Sequence, residues 1–335
     1  MRFATWNIEW FNNLFDEENR LVRDGAWSAR YKVTRADQAD ALAHVFRAMN
    51  ADAVMIVEAP DSGPRRSTVA ALENFAAHYG LRTTQAVTGF SNDTRQEIAL
   101  LFDPAQLNAR HVPRAETDEV PRFDGVFGID LDVDATRDSV RFSKPPLELD
   151  IETRGGTKLH MIGAHLKSKA PHGATSDADV MRIAIANRRK QLAQAIWLRA
   201  RIDQVLADAR PLMVMGDLND GPGLDEFEGL FGRSSVEIVL GDTGPDVLFD
   251  PHASLALSRR LGARPTTSRF WIQKEKRFLQ ALLDYIMVSE DLRSRGAAWR
   301  IWHPLDDPEC WTDTELSEAL VTASDHFPVT LDIDI

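Results

Sequence analysis

Apolar residues recur along the chain in two patterns, and the first of these predicts helices. Helical spacing begins after Thr34, a capping residue with Asp37 three positions later, where apolar side chains return every three or four residues. A second helix is predicted from Ser67, with Gly80 as its C-terminal stop. The stretch from about residue 178 to residue 209 predicts one long helix or two.

Continuous apolar runs form the second pattern, and they predict buried strands between the helices. The continuous runs span residues 53–57, 98–102 and 212–215, and residues 147–151 and 159–164 are further strand candidates. Alternating helices and strands are typical of an α/β protein. Residues 111–136 and 221–267 are rich in Gly, Pro, Asp and Arg without clean periodicity, so we expect loops or small insertions there, around the mouth of a site.

Composition fits a globular protein but makes the binding of a polyanion demanding. The 335 residues are 44% apolar and 27% charged, which is ample for a core. Motifs at both ends that must converge on one site favour a single domain over residues 1–335. The net charge of −12 means that a polyanion would need a local cationic patch or a metal ion. Alternatively, the acidic balance simply keeps the protein soluble.

The sequence also bears on the cellular compartment. Cys310 is the single cysteine, so no intrachain disulfide can form. A strand-like segment follows Arg2 at once and leaves no room for a secretory signal. No apolar run approaches the roughly 20 residues that span a bilayer. We therefore expect a cytoplasmic protein without a transmembrane segment, unless a leader was removed before this numbering, and no protein partner is implied.

Five polar motifs, each at the end of a predicted strand, carry the chemical information. Singly they have structural explanations: a turn for Gly-Asp-x-Asn, a core-paired acid for Glu58, and a satisfied core histidine for His165. Their joint occurrence in one order favours a single functional site. The motifs are Thr-Trp-Asn-Ile-Glu-Trp (5–10), Ile-Val-Glu (56–58), His-Leu-Lys-Ser-Lys (165–169), Gly-Asp-Leu-Asn-Asp (216–220) and Ser-Asp-His-Phe-Pro (324–328).

In that order and spacing the chain resembles the endonuclease/exonuclease/phosphatase superfamily, which contains pancreatic deoxyribonuclease, apurinic endonucleases, sphingomyelinases and inositol polyphosphate phosphatases. A sixth motif, Leu-Asp-Tyr-Ile at 283–286, stands where that family keeps a second acid upstream of the final histidine. The resemblance covers the whole chain. It implies a four-layer α/β/β/α sandwich of two mainly antiparallel sheets, with helices outside and the site at one edge.

Oxygen-bearing side chains in these motifs predict a site for Mg²⁺ or Mn²⁺, which needs only one or two protein carboxylates. Glu58 is the best candidate ligand. Asn7 and Glu9 share a strand face by the period-two rule, with Trp6 turned away. The resemblance implies that Asn7 and Glu9 join Glu58 in the metal shell, and that Asp325 completes it or supports a second ion.

His326 is the favoured general base, because imidazole titrates near neutral pH and a carboxylate can fix its tautomer. Asp284 would be that carboxylate; the alternative is an acid that caps a loop. By the resemblance, Asp217 positions or deprotonates the attacking water or protonates the leaving group. Asn219 would then bind the phosphate, and His165 would stabilise charge on the pentacovalent phosphorus.

Two lysines follow His165. Lys167 points to the same side and offers a point charge to a phosphate, which makes it the predicted substrate-binding residue. Lys169 would share that side if the strand continued, but Pro171 favours a solvated loop lysine instead.

Departures from related patterns narrow the branch of the superfamily. Apurinic endonucleases generally carry tyrosine in place of His165, and residues 281–285 lack the Trp-x-Asp-Arg signature of inositol polyphosphate phosphatases. The His-Leu-Lys-Ser-Lys motif is most similar to bacterial nucleases of the superfamily, many of them secreted. Val57 replaces a common glutamine and Glu9 an aspartate, but neither change removes a metal ligand.

These observations favour a metal-dependent phosphodiesterase, specifically a nuclease of loose sequence preference acting on nucleic acid. One alternative is a phosphatase or phospholipase-like diesterase for a small phosphorylated metabolite or lipid headgroup, which the acidic charge makes easier to accept. The non-enzymatic alternative is a binding module with a decayed site. That alternative is disfavoured because the catalytic candidates are all present.

Overall fold

A computed structural model describes residues 1–130, 138–171, 173–222, 232–242, 244, 246–258, 264–273 and 275–335. Its first large sheet has six strands, and parallel pairing in it joins β1 to β2. In spatial order they are Ala298–Ile301 (β14), Val329–Asp332 (β15), Arg2–Asn7 (β1), Ala53–Pro60 (β2), Gln96–Phe102 (β4) and Gln85–Thr88 (β3).

The second large sheet has five strands, and β9 and β10 are its parallel neighbours. In spatial order they are Asp284–Val288 (β13), Leu212–Asp217 (β10), Lys158–His165 (β9), Leu147–Thr153 (β8) and Leu107–His111 (β5). Two hairpins are separate: Phe127–Ile129 (β6) with Asp138–Val140 (β7), and Ser268–Ile272 (β11) with Arg277–Ala281 (β12). The expectation of two mainly antiparallel sheets is confirmed.

Helices flank the sheets, and local capping sets their ends. They are Arg35–Met49 (α1), Thr68–Tyr79 (α2), Asp177–Ala207 (α3), Ser235–Leu240 (α4), Pro251–Leu257 (α5), Glu290–Arg293 (α6), Pro308–Thr312 (α7) and Thr314–Ala323 (α8), with a 3₁₀ turn at Phe11–Leu14. The predicted starts of α1 and α2 and the predicted stop of α2 are confirmed, because Thr34 and Asp37 form a capping box, Ser67 caps the start of α2 and Gly80 is left-handed. The long segment is one helix of 31 residues.

Three apolar clusters define four layers. Side chains between the two sheets interdigitate, with Phe3, Met55 and Leu100 on one side and Leu149, Met161 and Met213 on the other. A second cluster packs α1, α2 and α8 against the outside of the first sheet. A third packs α3 against the outside of the second sheet. The α/β/β/α sandwich is therefore confirmed.

The two irregular regions contain more structure than the sequence predicted. The described part of 221–267 includes the helices α4 and α5, which begin at capping residues and not in periodic segments. Ser234 and Glu237 form a capping box at the start of α4, and Asp250 caps α5 with Pro251 as its first residue. Such helices are too short for periodicity to reveal. Residues 131–136, 223–231, 243, 245 and 259–263 of these regions lie outside the described residues. Among the helices that are described, none is long and apolar enough to cross a bilayer.

Candidate active site

One cavity of about 900 Å³ at the edge of the sandwich collects the sequence candidates. Asp284, the tenth candidate, lies directly behind His326 and is 1% exposed. All ten predicted residues are therefore in one place. The nine that line the cavity are Asn7, Glu9, Glu58, His165, Lys167, Asp217, Asn219, Asp325 and His326.

The two ends of the chain are tied together at this cavity by Ser324. Its hydroxyl donates to the carbonyl of Asn7 (2.8 Å) and accepts from the backbone N–H of Glu9 (3.2 Å) and of His326 (3.2 Å). Trp6, buried away from the cavity as predicted, donates its indole N–H to the carbonyl of His326 (2.9 Å). The first strand thus holds the segment that carries the candidate base.

A β-bulge presents Glu58 to the cavity. The register between β2 and β4 shifts between Val57 and Ala59, and Glu58 has a φ of 61°. A left-handed conformation is costly for a residue with a side chain, and a bulge re-aims the residue that it contains. The sequence placed Glu58 at the end of a strand, whereas the strand continues to Pro60. Gln96 on β4 donates to the Glu58 carboxylate.

Asp217 ends β10 directly beside His165 of β9. Its Oδ2 accepts from the amides of Asn7 (3.0 Å) and Asn219 (3.1 Å), and its Oδ1 accepts from the backbone N–H of Asn219 (2.7 Å). Burial raises the pKa of Asp217 to about 7. Strands β9 and β10 lie close together at Gly216, where a Cβ would lie 2.0 Å from the carbonyl oxygen of Ala164. Its φ of 135° is a further reason why glycine is needed at this position.

His326 and Asp284 form a buried dyad. Nδ1 of His326 lies 2.7 Å from Oδ2 of Asp284. Thr267 donates its hydroxyl to the same oxygen (2.7 Å) and accepts from the backbone N–H groups of Leu283 and Asp284 (3.0 Å each). Burial opposes the charged imidazole, but the Asp284 carboxylate raises the pKa of His326 well above its usual range. The sequence carried no signal for Thr267.

Lys144 is a second residue that the sequence analysis missed. It lies before β8 in the segment Ser-Lys-Pro-Pro, lines the cavity, and places Nζ 3.2 Å from Nδ1 of His165. Burial lowers the pKa of Lys144. Burial and the nearby Lys144 also hold the pKa of His165 well below its usual range, so that imidazole is neutral. An Nδ1 that accepts from Lys144 leaves the proton of His165 on Nε2.

Lys169 is not the solvated lysine that the sequence predicted. Its side chain is 14% exposed, and Nζ lies 2.6 Å from Oδ1 of Asp220. That carboxylate also accepts from Arg188 on α3 (2.9 Å) and from the backbone N–H of Ser235 on α4 (2.7 Å). The ion-pair network fastens the loop after Asp217 to two helices, so Lys169 has a structural partner that Pro171 did not reveal.

The oxygen atoms around the cavity fit a small divalent cation. Oδ1 of Asn7 and Oδ1 of Asp325 are buried and lack a hydrogen-bond partner in the described part of the chain. Burial is the main cause that raises the pKa of Glu9 to about 7, and the negative charge of Asp325 adds to it. Burial also raises the pKa of Glu58. A bound cation would relieve both effects, and amide and carboxylate oxygens suit Mg²⁺ or Mn²⁺. Glu9 is also held by the Trp10 indole (2.8 Å) and an ion pair with Arg30.

A second group of side chains could also hold a metal ion. One ligand atom each from Asp217, Asp284 and His326 lies within 4.8 Å of the other two, and all three residues are buried. The hydrogen bond of the dyad already joins two of them.

Solved structures share this fold at low sequence identity. TDP2 from C. elegans is 14% identical, with 98% of this chain and 74% of that chain covered and a TM-score of 0.51. D. rerio TDP2 in complex with a single strand DNA product is 12% identical, with 100% and 99% covered and a TM-score of 0.51. The 3′ phosphatase NExo from Neisseria, bound to a product DNA hairpin, is 15% identical, with both chains covered completely and a TM-score of 0.50.

Identities this low establish a shared fold alone, and no curated protein sequence matches the chain. A match to a protein family, by contrast, covers nearly the whole chain. The model of the Endonuclease/Exonuclease/phosphatase family matches residues 4–326, from the first strand to the histidine of the dyad. The chain therefore belongs to the Endonuclease/Exonuclease/phosphatase family.

Proposed function

We propose that this protein is a metal-dependent phosphodiesterase and, within that class, a nuclease of loose sequence preference. The observation that carries the proposal is the buried dyad of His326 and Asp284, which opens on the same cavity as an oxygen-rich cation site and the side chains of Lys144 and Lys167. Hydrolysis of a phosphate ester needs these parts together. DNA in the D. rerio TDP2 and NExo structures supports nucleic acid as the substrate class.

The oxygen-rich set is the more suitable place for the ion. Glu58, Asp325 and Asn7 would hold Mg²⁺ or Mn²⁺, with Glu9 beside them. Both oxygens of Glu9 already have partners, so its direct coordination would require one to be released. When bound, the ion neutralises charge on the phosphate and lowers the pKa of a water. We assign Asp217, Asp284 and His326 to proton transfer rather than to metal binding, because the hydrogen bond between Asp284 and His326 orients the imidazole.

The side chains would divide the chemistry as follows. His326 accepts a proton from the attacking water at Nε2, while Asp284 holds its Nδ1–H. Asp217, with a pKa of about 7, is suited to orient that water or to protonate the leaving oxygen. His165 donates its Nε2–H to a phosphate oxygen, and Asn219 and the ammonium groups of Lys144 and Lys167 add further stabilisation.

A phosphatase or phospholipase-like diesterase is the second candidate, and one observation favours it. Phe270, Ile272 and Leu279 of the β11–β12 hairpin give the cavity an apolar side, which fits an apolar leaving group. We also propose that residues 1–335 form a single domain, because the site draws on residues from Asn7 to His326.

A substrate panel separates these candidates. Purified protein with Mg²⁺ or Mn²⁺ would be given plasmid DNA, a short oligonucleotide, bis-nitrophenyl phosphate, mono-nitrophenyl phosphate and a phosphocholine lipid, with His326→Ala as the inactive control. We expect turnover of the diesters and nicking of the plasmid. A clear preference for the monoester or the lipid, with no nicking, would replace the nuclease by the second candidate.

A further inference from the structure

A second cavity, of about 440 Å³, lies beside the active site between β7 and α3. Among the described residues, three cationic side chains line it: Arg141, Arg189 and Lys190. Asp138 is the carboxylate in the described lining, and it is paired with Arg189 at 3.0 Å. The described lining therefore carries more positive than negative side chains, on a protein whose net charge is −12.

This cationic cavity adjoins the active site. Arg141 and Lys144 belong to one segment, and Ser143 between them lines the active-site cavity while its hydroxyl lies 3.5 Å from Nζ of Lys190. Gln194 on α3 also links the two cavities. It donates to the carbonyl of Arg141 (3.2 Å), beside the cationic cavity, and accepts from the backbone N–H of Lys167 (2.8 Å), beside the active site. Ser143 and Gln194, which line the active-site cavity, thus contact residues that line the cationic cavity.

In the part of the chain that the structure describes, the cations along this path form no direct ion pair. Elsewhere, arginines are typically paired, as Arg2 is with Asp332 and Arg82 with Asp52. Within the described ranges, no ion pair involves the four cations along the path, which are Arg141, Lys144, Lys167 and Lys190. Unpaired cations that adjoin a catalytic cavity attract an anion.

The two cavities are close enough for one extended substrate to reach both. Arg141 and Lys144 are three residues apart, so their Cα atoms are separated by at most about 11 Å. Along one strand of a duplex a phosphate occurs about every 3.4 Å of axis. We propose that the cavity lined by Arg141, Arg189 and Lys190 binds a phosphate of a polynucleotide a few nucleotides from the scissile one. The inference rests on the proposed function, because it assumes that the scissile phosphate occupies the active site.

The test compares substrates of increasing length. The kcat/KM of bis-nitrophenyl phosphate and of a single-stranded dinucleotide, tetranucleotide and octanucleotide would be measured for the wild type and for R141A/K190A at several salt concentrations. R110A is the matched control, since Arg110 is an exposed arginine of β5, at the far edge of its sheet. Arg189 is left intact because of its ion pair with Asp138.

We expect the wild type to prefer the octanucleotide over bis-nitrophenyl phosphate. That preference should fall about tenfold in R141A/K190A, with a salt slope smaller by about 1.4, from two contacts at about 0.7 each on a single strand. R110A should retain both properties. Identical length preference and salt slope in R141A/K190A and the wild type would overturn the second phosphate site.

A binding measurement separates this inference from the proposed function. The fluorescence anisotropy of a labelled octanucleotide reports binding without turnover, so a weaker complex with R141A/K190A than with R110A supports the site even if no diester is cleaved. Inhibition by inorganic pyrophosphate that depends on Arg141 and Lys190, together with rates independent of length, would overturn the polynucleotide as occupant and indicate a small polyphosphate.

Discussion

The double role of Thr267 beside the dyad makes Asp284→Asn an informative substitution. Thr267 accepts two backbone N–H groups, so its own O–H must donate, and it donates to the Asp284 oxygen that also contacts His326. In Asp284→Asn the atom that faces the Thr267 hydroxyl must still be an acceptor, so the oxygen of the new amide, rather than its NH₂ group, should face Thr267 and His326. The variant then loses the negative charge beside His326 but keeps the tautomer that carries its proton on Nδ1.

The magnitude follows from what each variant loses. A hydrogen bond to a charged group contributes about 1.5–3 kcal/mol, so Asp284→Asn should lower kcat by roughly 10–10²-fold. Adding Thr267→Val removes the constraint on the amide. Its NH₂ can then face Nδ1 of His326 and stabilise the wrong tautomer. The double variant should approach the loss in His326→Ala, about 10²–10⁴-fold.

The assay is kcat for bis-nitrophenyl phosphate against pH with saturating Mg²⁺. A general base must be neutral, so kcat should rise as the pH passes the pKa of His326. Because Asp284 raises that pKa against the effect of burial, the rise should move to lower pH in Asp284→Asn. Thr267→Val alone should lower kcat less than Asp284→Asn, because His326 keeps its carboxylate partner, although the N–H groups of Leu283 and Asp284 lose their acceptor and the protein should be less stable. Equal losses in Asp284→Asn with and without Thr267→Val would refute the orienting role of Thr267, and additive losses with His326→Ala would refute the dyad.

Three further predictions concern the metal, the missed lysine and the fold. Glu58→Gln should raise the Mg²⁺ concentration for half-maximal activity by about tenfold or more, measured by metal titration; an unchanged midpoint would exclude Glu58 as a ligand. Lys144→Met should lower kcat/KM by about 10–10²-fold with little change in the unfolding free energy, so a fully active variant would remove Lys144 from the site. Gly216→Ala should lower the urea-derived unfolding free energy by about 2–5 kcal/mol, whereas Gly63→Ala, with nothing within 4 Å of its Cβ, should be close to neutral. Equal stability of the two glycine variants would contradict the close approach at Gly216.

The fold was predictable because its signals are local. The capping box of Thr34 and Asp37, the stop at Gly80 and the apolar runs all act within a few residues, and each appears where the sequence predicted it. The site was predictable for a related reason. Polar residues at strand ends meet at one edge once the strands are paired, as Asp217 and His165 do.

The remaining features depend on contacts between distant segments. Lys144 contacts a histidine 21 positions away and Thr267 an acid 17 positions away, so no local pattern marks either residue. The bulge at Glu58 arises from the pairing with β4, which a reading of β2 alone does not contain. The side chain of Lys169 is mostly buried because it pairs with Asp220, 51 residues later in the chain.

The central claim is that this cavity hydrolyses phosphodiesters with a divalent cation and the dyad of His326 and Asp284. The most direct measurement is plasmid nicking by protein freed of metal with EDTA and then supplied with Mg²⁺, Mn²⁺ or Ca²⁺, with His326→Ala and Glu58→Gln in parallel. We expect no nicking in EDTA, recovery with Mg²⁺ or Mn²⁺ but poor recovery with Ca²⁺, a strong loss in His326→Ala, and recovery of Glu58→Gln at higher Mg²⁺ alone. Full nicking in excess EDTA, or wild-type rates in His326→Ala, would contradict the account.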